Sequence, residues 1–196
     1  MMTKKIVIGG VLAGIAIFIW SSIAHMLLPI GEMGIKTISN EDAVVAAMKA
    51  NITESGLYFI PGEGMAAAKS LPKEQQQAAM EAWQKKYEAG PRGILVYHPT
   101  GEKLFMPRYF IVEFLSDVIV ALIAAFALAM ASGKLRSFAG RVVFVTLLGL
   151  LGWAATDVSY WNWYGFPGAY EVGQFLDQVV GMAVAGTVLA FIMRRD

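Results

Sequence analysis

Acidic side chains lie within long apolar runs of this sequence, and they are the residues best placed to do chemistry. The acids are Glu113, Asp117, Asp157 and Asp177, and His25 is the one base in a comparable position. An ionisable side chain at the centre of a bilayer costs roughly 2.5–3.5 kcal/mol on insertion scales, so each of these residues needs a role. Together they predict a ligand- or ion-binding pocket between helices, able to hold a cation or to carry protons. The chain has no HxxxH or ExxH spacing, so no particular metal is indicated.

The same acids also have a structural interpretation. Glu113 and Glu171 could extend to the membrane interface, with their carbon chains in the apolar layer. Asp157 could cap a helix end, and Asp117 could hydrogen-bond its neighbours and lock a helix bundle. For Asp117 and Asp177 the sequence leaves the functional and structural interpretations open. For Glu171 it favours the structural one.

These ionisable residues lie within four long apolar stretches of the sequence. The stretches are residues 6–30, 109–131, 142–158 and 170–193. A membrane-spanning helix needs about 20 mostly apolar residues, and the chain is 57% hydrophobic with 16% charged residues. The predicted fold class is therefore a membrane α-helical protein with four transmembrane helices. A small α+β extracytoplasmic domain, residues 31–108, is inserted between helices 1 and 2.

Basic residues outside the apolar stretches set the predicted orientation. They flank the spans on one side: Lys4, Lys5, Lys134, Arg136, Arg141, Arg194 and Arg195. The positive-inside tendency then places both termini in the cytoplasm, with residues 31–108 and 159–169 outside. The predicted location is a bacterial inner membrane. Ser22-Ile23-Ala24 fits a signal-peptidase site, but the apolar run continues to Ile30, which favours an uncleaved anchor.

This orientation places all the intramembrane acids in the outer leaflet. At 1.5 Å per helical residue, Asp117 lies about 12 Å in from Tyr109, and Asp177 about 10 Å in from Tyr170. The inner halves of the four spans carry no acid. Asp117 and Asp177 therefore lie at similar depths on different helices, which favours a shared pocket.

The predicted extracytoplasmic domain contains two helices and about three strands. A helix is expected over residues 42–50 and another over 71–90. A strand is expected at 56–62, and residues 93–98 and 103–107 read as a hairpin. No catalytic motif stands out in this segment.

An aromatic cluster occupies the predicted loop 159–169 and its edge. It contains Tyr160, Trp161, Trp163, Tyr164 and Tyr170. Trp and Tyr favour the membrane–water boundary, so the main interpretation is an interfacial belt. The alternative is a lid over the acids or a platform for a ligand. In the first span, Gly10 and Gly14 have the spacing that lets helices approach closely.

Three functions fit this sequence. The first is a non-catalytic accessory or assembly subunit, and its partners would be the lipid bilayer and another membrane protein or a second copy of the chain. The second is a protein that binds or transports a small ligand, cation or proton through the acidic pocket. The third is a membrane enzyme, for which no nucleophile stands out. No cofactor is expected. A net charge of +1 gives no basic surface for nucleic acid.

Overall fold

A computed structural model describes residues 2–62 and 64–194 of the chain, which is 72% helical. The elements in chain order are helix α1 (Met2–Met26), a 3₁₀ turn (Pro29–Glu32), α2 (Glu41–Asn51), β1 (Gly56–Ile60), α3 (Met65–Ser70), α4 (Lys73–Ala89), β2 (Gly93–Tyr97), α5 (Pro107–Ala131), α6 (Phe138–Ser159), a π-helical turn (Tyr160–Tyr164) and α7 (Gly168–Ile192). Helices α1, α5, α6 with its π-helical turn, and α7 are long and apolar enough to cross a membrane. The four predicted spans are thus confirmed as helices of the required length and composition.

Local sequence explains where these long helices begin and end. Pro107 opens α5, a position where its missing N–H is not needed. The Ser137 side chain caps α6 by accepting a hydrogen bond from the Gly140 N–H at 3.0 Å. Gly165 ends the π-helical turn with φ +74°, a conformation that favours glycine. The third span therefore extends past the predicted residue 158, and the turn before α7 is short.

The described chain forms two compact units. One comprises the residues up to Lys36 together with those from Leu104 onward, and contains the four long helices. The other, Thr37–Lys103, is called the small unit here. Its two strands pair antiparallel with Gly56 opposite Tyr97. Helix α4 is tied to β1 and the turn after it, since the Trp83 Nε1–H donates to the Pro61 carbonyl at 3.2 Å and Tyr87 stacks on Phe59.

The predicted hairpin of residues 93–98 with 103–107 is wrong. The partner of β2 is β1, and the described sheet has two strands. Pro107 takes the first position of α5, and Leu104 and Phe105 are exposed in a bend. The apolar stretch 93–97 instead pairs along its length with the matching stretch 56–60. This partner is distant in sequence, so local patterning could not identify it.

Small residues bring α1 and α5 into close contact. A Cβ atom on Gly14 would lie 2.6 Å from the Val118 Cα, and one on Gly10 would lie 2.9 Å from the Leu122 Cα. Continuing the same row, Phe18 and Phe114 meet edge to face at 5.7 Å. These contacts recur every fourth residue on both helices. They form an antiparallel ladder, as the Gly10–Gly14 spacing predicts.

Helices α6 and α7 pack by an equivalent ladder. A Cβ on Gly186 would lie 3.0 Å from the Val142 carbonyl oxygen, and one on Gly149 would lie 2.7 Å from the Met182 Cβ. Helices α1 and α7 also pack together, so the packing order is α5–α1–α7–α6. The outer helices α5 and α6 have few contacts with each other. The bundle is therefore tightly packed on three sides and loose on the fourth.

Candidate functional site

A cavity of about 320 Å³ lies between the four long helices. Its lining residues are Ile17 and Ser21 of α1, Glu113, Asp117 and Val120 of α5, Leu148, Gly149 and Gly152 of α6, and Asp177, Gln178 and Met182 of α7. Most of this lining is apolar, and the carboxyl groups are contributed by α5 and α7. The cavity is therefore a largely hydrocarbon space with a few acceptor groups, as is common for small-molecule sites.

The α1–α5 ladder determines which side chains face the cavity. Two residues of α5 pack against α1. Phe114 contacts Phe18, and Val118 contacts Gly14. Glu113 and Asp117 each precede a ladder residue by one position and share one face of α5, since they are four residues apart. Because the ladder fixes the rotation of α5, this acidic face borders the cavity, with Asp117 buried and Glu113 exposed.

Asp117 is buried, with 8% of its surface exposed, and its Oδ2 atom has no hydrogen-bond partner among the described residues. The Asp177 Oδ1 atom is also buried and also lacks a hydrogen-bond partner among the described residues. Both side chains line the cavity. Leaving a buried polar atom unpaired costs about 1–3 kcal/mol, and more when the group is charged. Two residues of the cavity wall, on different helices, therefore each carry a buried carboxylate oxygen without a partner among the described residues.

The remaining contacts of Asp177 hold it in place. Its Oδ2 atom lies 3.3 Å from the His25 Nε2 atom. This distance exceeds the 2.7–2.9 Å typical of a strong charge-assisted hydrogen bond, and the imidazole is exposed, so the pair is weak. The Trp20 indole N–H donates to the Asp177 backbone carbonyl at 3.0 Å. Trp20 thus packs within the bundle, five residues before His25.

Asp157 does not line the cavity itself but contacts a residue that does. It is buried near the end of α6 and accepts a hydrogen bond of 3.0 Å from the Gln178 Nε2 atom. Gln178 itself lines the cavity, so Asp157 orients its amide. Of the predicted site residues, the structure brings Glu113, Asp117 and Asp177 to the cavity wall. His25 and Asp157 each contact a wall residue.

The aromatic cluster lies at the end of α6 and the start of α7. Tyr160, Trp161, Trp163 and Tyr164 form the exposed π-helical turn, in place of the predicted loop. A row of ring contacts runs from Tyr160 through Phe166 to Tyr170. The residues that line the 320 Å³ cavity include none of these aromatics.

Glu171 has surroundings that its sequence context did not reveal. It is 7% exposed, and neither of its carboxylate oxygens has a partner within the described part of the chain. It does not extend to the surface as the sequence interpretation expected. A Cβ on Gly173 would meet the Ile30 carbonyl at 2.9 Å, and one on Gly34 would meet the Tyr170 amide. The chain that follows α1 therefore crosses the first turns of α7, and sequence alone does not show this crossing.

Arg141 and Gln178 are two further polar residues whose roles the sequence did not indicate. Arg141 is buried at the opposite end of the bundle, where its Nε donates to the Leu135 carbonyl and its Nη1 to the Met193 carbonyl, both at 3.0 Å. The Met193 carbonyl lies at the end of α7, where a positive charge is favourable, and the Leu135 carbonyl lies between α5 and α6. Its role is structural, whereas Gln178 belongs to the cavity.

Within residues 2–62 and 64–194, no group of three or more His, Cys, Asp or Glu side chains is arranged to hold a metal ion. Comparison with protein-family models, with curated proteins and with solved structures gives no match. The class of protein is therefore assigned from its fold and its cavity alone. It is a protein with four membrane-length helices around an acid-lined cavity.

Proposed function

We propose that this chain is an integral membrane protein that binds a small, positively charged ligand in the cavity between its four long helices. One observation carries the proposal: Asp117, a residue of the cavity wall, is buried and its Oδ2 atom has no hydrogen-bond partner among the described residues. A buried acceptor that no group of the protein itself pairs is expected to gain a partner in the functional state, because leaving it unpaired destabilises the fold. Asp177 supplies a second such acceptor from the facing helix.

The proposed orientation in the membrane follows from charge placement. Lys5, Lys134 and Arg194 lie at one end of the long helices and would be cytoplasmic under the positive-inside tendency. Asp117 and Asp177 then open towards the outer leaflet of the plasma membrane, which in a bacterium is the inner membrane. Trp161 and Trp163, both exposed, would lie at the outer membrane–water boundary.

Ligand-induced stabilisation tests this function. The protein would be placed in lipid nanodiscs and its thermal unfolding followed with methylammonium, sodium, magnesium and calcium ions. A ligand present at about 100 times its Kd stabilises the folded state by about 2.7 kcal/mol, which gives a measurable rise in Tm. We expect methylammonium to raise the Tm of the wild type but not that of Asp117→Asn.

Glu171→Gln is the matched control, because Glu171 is a buried acid of the same bundle that does not line the cavity. This variant should respond to methylammonium as the wild type does. Equal responses of the wild type and Asp117→Asn to every cation would overturn the proposed function.

An accessory or assembly subunit is the second candidate, and the small unit favours it. Leu57 and Val96 face each other across β1 and β2 and are 72% and 68% exposed. Contiguous exposed apolar surface marks sites that meet a partner. Gentle extraction from the native membrane, followed by mass measurement of the complex, would reveal a stoichiometric partner. A chain that purifies alone or only with copies of itself would contradict this candidate.

A further inference from the structure

We infer that the ligand is an amphiphilic organic cation, with a primary ammonium group and an apolar chain, which enters the cavity from the lipid between α5 and α6. This inference rests on the proposed function and specifies its ligand and its route. It combines three features of the molecule: the number of free acceptors, the apolar lining and the loose side of the bundle.

Three acceptor atoms belong to residues that line the cavity. The first two are the unpaired Asp117 Oδ2 and Asp177 Oδ1 atoms. The third is the Gln178 Oε1 atom, because the amide N–H₂ of Gln178 is engaged by the Asp157 carboxylate. Oε1 lies on the cavity side, 3.8 Å from where a Cβ of Gly152 would be. A primary ammonium carries three N–H donors and no acceptor, so it matches this set.

The charge of the cavity wall also favours a cationic ligand. The described cavity wall contains Glu113, Asp117 and Asp177, and no Lys or Arg. An anion would face acidic groups without a compensating positive charge. A bare divalent ion is also a poor fit, since Ca²⁺ takes 6–8 oxygen ligands and Mg²⁺ needs near-octahedral geometry. The described chain offers no such cluster.

The rest of the wall is apolar except for the hydroxyl group of Ser21. Ile17, Val120, Leu148 and Met182 surround the space that the ammonium would leave unfilled. Burying apolar surface contributes about 25 cal/mol per Å², so an attached alkyl chain would add affinity that methylammonium lacks. A cavity of about 320 Å³ is at the small end of the range for organic ligands, so it would hold the head and the first part of a chain.

The loose side of the bundle provides the route. Helices α5 and α6 both contribute to the cavity wall yet have few contacts with each other. Val120 of α5 and Gly152 of α6 line the cavity and are also exposed. Gly152 has no side chain to fill the gap. In a membrane this gap faces lipid, so the remainder of an alkyl chain can stay in the bilayer while its head is bound.

Photolabelling in lipid nanodiscs tests the inference. The probe is a dodecylamine that carries a diazirine in its chain, and labelled peptides are identified by mass spectrometry. We expect labelling of α5 near Val120 and of α6 near Leu148. Unlabelled dodecylamine should compete, whereas dodecanol, which lacks the charge, should not. Asp117→Asn should reduce labelling at least about tenfold, which corresponds to about 1.4 kcal/mol of lost binding energy. Glu171→Gln should not reduce it.

The entry route is tested by placing a larger side chain in the gap between α5 and α6. Gly152→Leu should reduce cavity labelling, and the matched control Ala155→Leu, an exposed α6 position outside the cavity wall, should not. Unchanged labelling in Gly152→Leu would overturn entry between α5 and α6. Methylammonium binding that depends on Asp117, with dodecylamine binding no tighter, would overturn the amphiphile while leaving the proposed function intact. Equal labelling of the wild type and Asp117→Asn, with no methylammonium response, would overturn both.

Discussion

Asp117 and Asp157 are both buried aspartates of the long helices, yet their carboxylates have different surroundings. Asp157 accepts a hydrogen bond from Gln178, whereas the Oδ2 atom of Asp117 has no partner among the described residues. A paired buried acid contributes to stability, and an unpaired one opposes it. The proposal for Asp117 rests on this lack of a partner together with its place in the cavity wall, since Glu171 also lacks a partner but does not line the cavity.

Asp117→Leu is expected to raise the stability of the ligand-free protein. It removes a buried polar group that costs about 1–3 kcal/mol and replaces it with an apolar side chain of similar size. Asp157→Leu should instead lower stability, because it leaves Gln178 without its acceptor. Thermal unfolding in nanodiscs without ligand measures both. A fall in Tm for Asp117→Leu as large as that for Asp157→Leu would mean that Asp117 locks the bundle.

Asp117→Asn and Asp177→Asn are expected to act non-additively on methylammonium binding. Both carboxylates face one cavity, so removing the first also weakens what the second contributes. The measurement is a double-mutant cycle of dissociation constants in nanodiscs. Strictly additive losses would indicate that the two acids serve separate sites.

The acids of the site were predictable from the sequence, but their partners were not. Glu113, Asp117 and Asp177 stand out because a charge within an apolar run is costly wherever the run folds. Gln178 is less conspicuous, and its role depends on the side chain of Asp157 on another helix. Burial of Glu171 depends on the chain from Ile30 to Gly34 crossing α7, which is a tertiary contact.

At the scale of elements, the packing of α1 on α5 determines where the acids point. Gly10 and Gly14 let the two backbones approach, and the ladder they begin places Glu113 and Asp117 at the cavity wall. The four spans were predictable because a long apolar run has few alternatives to a helix. Strand pairing in the small unit was not, because β1 and β2 are separated by two helices in the chain.

Gly14→Ala is expected to destabilise the bundle. Its Cβ would lie 2.6 Å from the Val118 Cα, and a backbone atom cannot move without shifting the helix, so a cost of about 1–3 kcal/mol is expected. Gly152→Ala is the matched control, since the nearest atom to its Cβ, the Gln178 Oε1, is 3.8 Å away. Thermal unfolding should show a lower Tm for the first variant only. Equal effects would mean that α1 and α5 are not in close contact.

At the scale of the whole molecule, the direction in which the cavity opens depends on the orientation of the chain in the membrane. The ends of the long helices differ in charge, because the exposed basic residues Lys134 and Arg194 are at the end opposite His25 and Asp157. The positive-inside tendency therefore predicts that Asp117 and Asp177 lie in the outer leaflet. A ligand would then be drawn from that leaflet.

The absence of cysteine from the chain makes this orientation directly measurable, because any introduced cysteine is unique. Lys85→Cys lies on α4 of the small unit, and Lys134→Cys lies between α5 and α6, both exposed. A membrane-impermeant maleimide should label the first variant in intact cells and the second only after permeabilisation. Both substitutions remove one lysine, so each controls for the other. Labelling of Lys134→Cys alone in intact cells would invert the topology and place the acids in the cytoplasmic leaflet, where the ligand would have to come from the inner side of the membrane.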